Sequence, residues 1–184
     1  NPGASILAAV PYALARPAID AIVTRVQAAR AAETSPPPEY RSIYPMAREF
    51  YREARARGLD VKFGLAAAVM QSLLMAPLSA ASAVVLFYLL LSRTRSTRAA
   101  LLLALLYAFA TPVFFRTGQL NHNLLVGHAT LFAFALLWQP WAPRRVPGPG
   151  SYLLAGLLCG WAVVLDYSGV VVVAVLGLYA LARL

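Results

Sequence analysis

At 184 residues, 60% hydrophobic and 12% charged, with a mean hydropathy of +0.66, the chain is far too apolar for a soluble domain. The expected fold is all-α, a polytopic membrane helix bundle. The net charge of +9 does not indicate nucleic acid, because no basic stripe interleaved with stacking aromatics lies on a soluble face.

In chain order, residues 1–62 hold nine basic and six acidic residues and no run read as long enough to span, so they are expected to form one polar segment on one side of the membrane. Within it Ile19, Ile22, Val23 and Val26 recur at i, i+3, i+4 and i+7, which predicts an amphipathic helix over about Pro17 to Ala32 with Pro17 near its start. Ser35-Pro36-Pro37-Pro38 reads as a stiff extended linker. A second helix is predicted from Pro45 to about Arg57. It places Arg48, Arg52 and Arg55 on one side with Phe50 or Tyr51 beside them. That is the pattern of an interfacial helix facing anionic headgroups, or of a solvated helix with Glu49/Arg52 and Glu53/Arg57 pairs.

Five spans are expected in residues 63–184. Phe63 to Leu91 is the first, and its 29 residues would measure about 43 Å as a straight helix, more than the ~30 Å hydrocarbon core. Part of it is therefore expected to project, and Pro77 offers a kink. Ala99 to Phe115, Leu124 to Trp138, Tyr152 to Leu165 and Val170 to Leu181 follow. Arg93, Arg95 and Arg98, then Arg144 and Arg145, then Arg183 punctuate the spans, which makes those loops cytoplasmic by the positive-inside rule. Trp138 and Trp141 fit an aromatic belt at that boundary. Residues 1–62, the turn after Phe115 and Asp166 to Gly169 then share the extracytoplasmic face. Lone Cys159, with no partner, reads as a small buried hydrophobe.

The polar residues that carry chemistry are concentrated in one place. Arg116, Gln119, Asn121, His122 and Asn123 fall within eight residues, between two runs that hold no charge. This polar knot reads as the turn between two spans, either a cavity-lining site or, for Arg116, a side chain snorkelling to lipid phosphates. Asn121 and His128 are about 20° apart on a helical wheel, whereas His122 and His128 are about 120° apart and cannot share a metal if both are helical. No zinc-like spacing occurs, and His128 is expected as an interhelical hydrogen-bonding residue. Asp166 is the only acid in residues 63–184. Near membrane depth it is either a functional group or the cap of the next helix, through Asp166-Tyr167-Ser168-Gly169. A single helix over residues 151–183 would measure about 50 Å, too long for one crossing, and Ser168-Gly169 is the natural break.

Three segments carry a family resemblance. They are the opening Asn1-Pro2-Gly3-Ala4-Ser5-Ile6-Leu7-Ala8 with Pro11-Tyr12, then Thr111-Pro112-Val113-Phe114-Phe115-Arg116 continuing to Asn121-His122-Asn123, and Leu154 to Leu165 with Gly156-x-x-x-Gly160. In order and spacing they resemble integral-membrane glycosyltransferases of the C type, the enzymes related to protein O-mannosyltransferases and lipid A aminoarabinose transferases. The resemblance implies transfer of a sugar from a polyprenyl-phosphate donor to an extracytoplasmic glycan, lipid or protein acceptor, by inverting displacement. It implies a base carboxylate in a first external loop, which would precede Asn1. The chain begins without methionine and stops at Leu184 beside an apolar run, so it reads as a fragment, inactive by itself.

Within that scheme Arg116 is the expected contact to the leaving lipid phosphate. Gln119, Asn121, His122, Asn123 and Tyr167 are candidate substrate ligands, and Asp166 is the one candidate catalytic group in the chain. Asp166 departs from the family, which more often has a basic residue there; it could touch the acceptor, pair with Arg116, or cap a helix. No metal and no cofactor beyond the lipid-linked sugar are implied, and the partners are membrane lipids and the acceptor. The Ala, Leu and Arg richness suggests a bacterial inner membrane. A transporter or lipid-flippase-like protein is the competing expectation, although no repeat relates the two halves.

Overall fold

The computed structural model describes residues 2–34, 40–142 and 146–183. The triple-proline linker and the Arg144/Arg145 pair lie outside them. The described residues are all-helical, with no strand.

Helix α1 runs Pro2–Ala32, 31 residues with Pro11 and Pro17 inside. The expected helix from about Pro17 is therefore only the second half of a longer one. The expectation that residues 1–62 hold no run long enough to span is also corrected, since α1 is both long and apolar enough to cross a membrane. The two prolines each remove one intrahelical bond without ending the helix, and Ala-rich flanks keep the turns helical.

Helix α2 is Pro45–Ala56, with proline in its first turn, where the missing N–H has no partner to lose. Both intrahelical pairs form, Arg52 to Glu49 at 2.8 Å and Arg57 to Glu53. Gly58 then turns the chain with φ +68°, a left-handed conformation that glycine adopts without a Cβ penalty. Helix α3, Leu59–Met70, continues through one π-helical turn, Gln71–Met75, into α4, Ala76–Thr94. The π turn sits immediately before Pro77, whose absent N–H cannot bond back into the preceding turn. Together these form one continuous helix, Leu59–Thr94, of 36 residues.

The expected span Ala99 to Phe115 is broken. Helix α5 is Thr97–Phe109 and α6 is Pro112–Thr117, separated where Thr111 caps α6 by accepting from the Val113 N–H. Pro112 is the reason: it disfavours helical backbone at Thr111 and suits the first position of a new helix. Helix α7 is His122–Trp138, α8 is Pro149–Leu165 and α9 is Gly169–Leu181. The break at Asp166 excludes a single helix over residues 151–183.

Contacts define two ends of the bundle. At one, the Arg93 guanidinium lies 5.5 Å over the Trp138 ring, Trp138 stacks on Tyr179 at 6.4 Å, and the Tyr152 hydroxyl donates to the Arg183 carbonyl at 3.4 Å. The arginine loop after α4 and the end of α9 therefore share that end. At the other, the polar knot meets the start of α9. Between them Met75, Leu124, Leu125, Ala162 and Leu165 form the main buried cluster with Ala4.

Helices α1 and α3 run antiparallel: Ala4 shares the cluster with Met75, Lys62 binds Asp20 at 2.8 Å, and Arg30 grips Asp60 through two bonds of 3.0 and 2.7 Å. The start of α1 presses directly on α8. A Cβ on Gly3 would come within 2.8 Å of the Val164 carbonyl oxygen.

Candidate functional site

The knot is built by three short-range devices. Thr111 and Asn121 are N-caps, and the Asn121 Oδ1 accepts from the Leu124 N–H at 3.0 Å, which sets His122 at the first position of α7. The Asp166 Oδ1 accepts from the Ser168 N–H at 2.8 Å, fixing the carboxylate over the turn into α9. Gly169 makes that turn possible, because a Cβ there would lie 2.9 Å from the Ala162 carbonyl oxygen.

These devices bring together two of the residues singled out from sequence. His122 Nε2 lies 3.3 Å from Asp166 Oδ2, with side chains 39% and 22% exposed. The Asp166 carboxylate thus lies against the His122 ring, and its Oδ1 closes the turn that leads into α9. The carboxylate stands beside the first turns of both α7 and α9, where the helix dipoles favour negative charge.

Arg116 lies at the end of α6 and is exposed, as are Gln119 and Asn123. Tyr167 is 82% exposed. Asn121 is half-buried and spends its side-chain oxygen on the cap. Among the described residues no group of three or more His, Cys, Asp and Glu side chains is placed to hold a metal.

A second polar constellation lies deeper: His128 is the interhelical hydrogen-bonding residue expected, and it joins Ser79, Ser82 and Thr117, which the sequence reading passed over. His128 is 1% exposed. Its Nδ1 lies 2.6 Å from the Ser82 hydroxyl and its Nε2 lies 3.1 Å from Ser79. Ser79 lies 2.7 Å from Thr117, whose hydroxyl donates to the Val113 carbonyl at 2.7 Å. Proton counting orients the whole chain. With its one proton given to Val113, Thr117 accepts from Ser79, Ser79 accepts from His128 Nε2–H, and Ser82 donates to Nδ1. A neutral imidazole protonated at Nε2 satisfies every member and ties α4 to α6 and α7. The signal was present in the sequence as Ser79 and Ser82, three apart in an apolar run and hence on one helix face.

Beside this chain a groove of about 930 Å³ opens between α4, α5 and α6. Its walls are apolar, with Val84, Phe87, Leu105 and Phe109 among them, and its polar lining groups are Gln71, Ser79, Thr117 and Gln119, with the Tyr88 hydroxyl further along α4. Thr117, Gly118 and Gln119 continue directly from Arg116, so the groove reaches the knot.

No protein-family model, curated protein or solved structure matches the chain.

Proposed function

We propose that the chain is a membrane-embedded part of a glycosyltransferase that moves a sugar from a polyprenyl-phosphate donor to an acceptor on the extracytoplasmic side. The observation that carries this reading is the groove: a long apolar cleft whose polar groups include Ser79, Thr117 and Gln119 beside the arginine-bearing knot. An isoprenoid tail fits the apolar wall, and a phosphate at its head fits Arg116, whose charge would offset the charge that builds as the sugar–phosphate bond breaks.

The membrane setting is part of the proposal. Helix α1 and the continuous helix Leu59–Thr94 are long and apolar enough to cross, and most of each is left uncovered by the rest of the chain, as lipid-facing helices would be and core helices of a soluble domain would not. Helices α5, α7, α8 and α9 are apolar but have 13 to 17 residues, about 20 to 26 Å long. They suit a locally thinned bilayer or spans completed by flanking turns.

From Gln71, beside Gly118 of the knot, to Arg93 the helix rises about 33 Å. That matches one hydrocarbon core, with the knot at the outer boundary and the arginine loop at the cytoplasmic one. Helix α3, about 18 Å long, then stands beyond the membrane with α2 and the paired half of α1. In this reading the protein sits in a bacterial inner membrane.

Photoaffinity labelling tests the reading at the groove. A polyprenyl phosphate carrying a diazirine in its tail, added to the full-length protein in lipid nanodiscs, is expected to label peptides spanning residues 80–88 and 101–109, and Arg116→Gln is expected to reduce that labelling. Labelling spread evenly over all lipid-facing helices, unchanged by Arg116→Gln, would overturn it.

A further inference from the structure

Resting on the transferase reading, we infer that Gln71 recognises the donor sugar, binding its hydroxyls together with Gln119 at the outer mouth of the groove. Nothing in the sequence pattern marks Gln71. What brings it to the groove is the π-helical turn.

In a regular α-helix residues five apart lie about 140° apart around the axis, so Gln71 would point away from the face that Ala76 lends to the groove. Over Gln71–Met75 the chain instead makes one π turn, in which the Ala76 N–H bonds to the Gln71 carbonyl. That wider turn brings residues five apart to within about 50° of each other, and Gln71 joins Ala76 and Ser79 in the lining. The cause is Pro77: in a regular turn its ring would press on the Leu73 carbonyl, to which it has no N–H to offer. Single π turns inside α-helices recur at functional sites.

Hydrogen-bonding capacity then separates the polar groups at this end of the groove. Ser79 and Thr117 are bonded to each other, to His128 and to the Val113 carbonyl, so they have no proton left for a ligand. The carboxamides of Gln71 and Gln119 are exposed and make no hydrogen bond among the described residues. They flank Gly118. Gln71 Nε2 lies 3.9 Å from the point where a Cβ on Gly118 would stand, and with no side chain there the amide stays open to a ligand.

The chemistry of a carboxamide favours the sugar over the phosphate. Phosphate oxygens at physiological pH chiefly accept, and Arg116 beside them carries donors alone. A hydroxyl both donates and accepts, and a carboxamide offers an acceptor and donors on one planar group. Gln71 and Gln119 therefore suit neighbouring sugar hydroxyls while Arg116 holds the phosphate. Gln71 touches no bond that breaks or forms; it orients the sugar and sets which sugar is accepted.

The test compares ligands by affinity. The full-length protein in lipid nanodiscs is titrated with undecaprenyl phosphate and with undecaprenyl phosphate linked to each of several hexoses and pentoses, binding being read by displacement of the diazirine-tailed probe. The wild-type protein is expected to bind at least one sugar-linked lipid more tightly than the bare phosphate. Gln71→Ala is expected to keep the native thermal midpoint and the native affinity for undecaprenyl phosphate, and to bind that sugar-linked lipid ~10-fold more weakly, as the loss of one or two hydrogen bonds predicts. Equal weakening of both lipids, or no change in either, would overturn the assignment and leave the donor groove standing. So would a wild-type protein that binds every sugar-linked lipid no more tightly than the bare phosphate. A wild-type protein that binds none of these lipids would overturn the transferase reading, and this assignment with it.

Discussion

Replacing His128 by alanine removes the centre of the buried hydrogen-bond chain, and the structure sets the size of the effect. Ser82 is fully buried and its hydroxyl donates to Nδ1 at 2.6 Å. Losing that acceptor strands a buried donor at ~1–3 kcal/mol, reduced if the hydroxyl turns to a carbonyl of its own helix. Ser79 keeps Thr117 as a partner and loses less. Truncation of a buried ring adds a cavity penalty, whereas interhelical bonds within membranes average only ~0.6 kcal/mol. A net loss of ~2–3 kcal/mol follows for His128→Ala, and ~1 kcal/mol for Ser82→Ala. A double-mutant cycle measured by reversible unfolding in mixed micelles isolates the shared term, expected at ~0.5–1.5 kcal/mol. A coupling below ~0.3 kcal/mol, the additivity of sites that do not touch, would refute the chain as described.

Three further outcomes are expected from packing and charge. Gly169→Val places a Cβ 2.9 Å from the Ala162 carbonyl oxygen, a backbone neighbour that cannot step aside. It should cost ~1–3 kcal/mol, and a thermal midpoint equal to that of the native protein would contradict the close approach of α8 and α9. Gly58→Ala meets both a positive φ of 68° and the Val23 Cγ1 at 2.8 Å, so a loss of ~1–2 kcal/mol is expected. Digestion of the α2–α3 turn by protease would report it. Arg30→Ala removes a two-bond grip on the partly exposed Asp60. It should cost no more than about 1 kcal/mol while raising amide exchange at the α1 C-terminus; unaltered exchange there would show that the pair does not hold α1 to α3.

Much of the helical order was legible in sequence because long apolar runs admit few alternatives. The limits of α2, α7, α8 and α9 fall within about three residues of those expected, marked by Pro45, Asn121, Pro149 and Gly169. The missed boundaries share a cause, which is proline. Pro17 read as lying near the start of the first helix, yet the helix runs through it and through Pro11 as well. The expected span Ala99 to Phe115 runs straight across Pro112, yet that proline starts a new helix. A proline's local rule does not say whether the surrounding turns can absorb one lost bond, and that is decided by packing.

The pairings within the site were less accessible still. His122 and Asp166 are 44 residues apart and Gly3 and Val164 are 161 apart, and no periodicity links either pair. The His128 partners Ser79 and Ser82 sit on another helix, so the wheel could say which face each residue occupied but not which faces would meet.

The most direct test of the account is transfer itself. The full-length protein, reconstituted in nanodiscs with polyprenyl-phosphate-linked radiolabelled sugars and the membrane fraction as acceptor, is expected to cleave the sugar–phosphate bond, release free polyprenyl phosphate and label the acceptor. The Arg116→Gln protein is expected to lose that activity. Movement of the intact lipid-linked sugar between leaflets with no bond cleaved would contradict the transferase account and establish a transporter in its place.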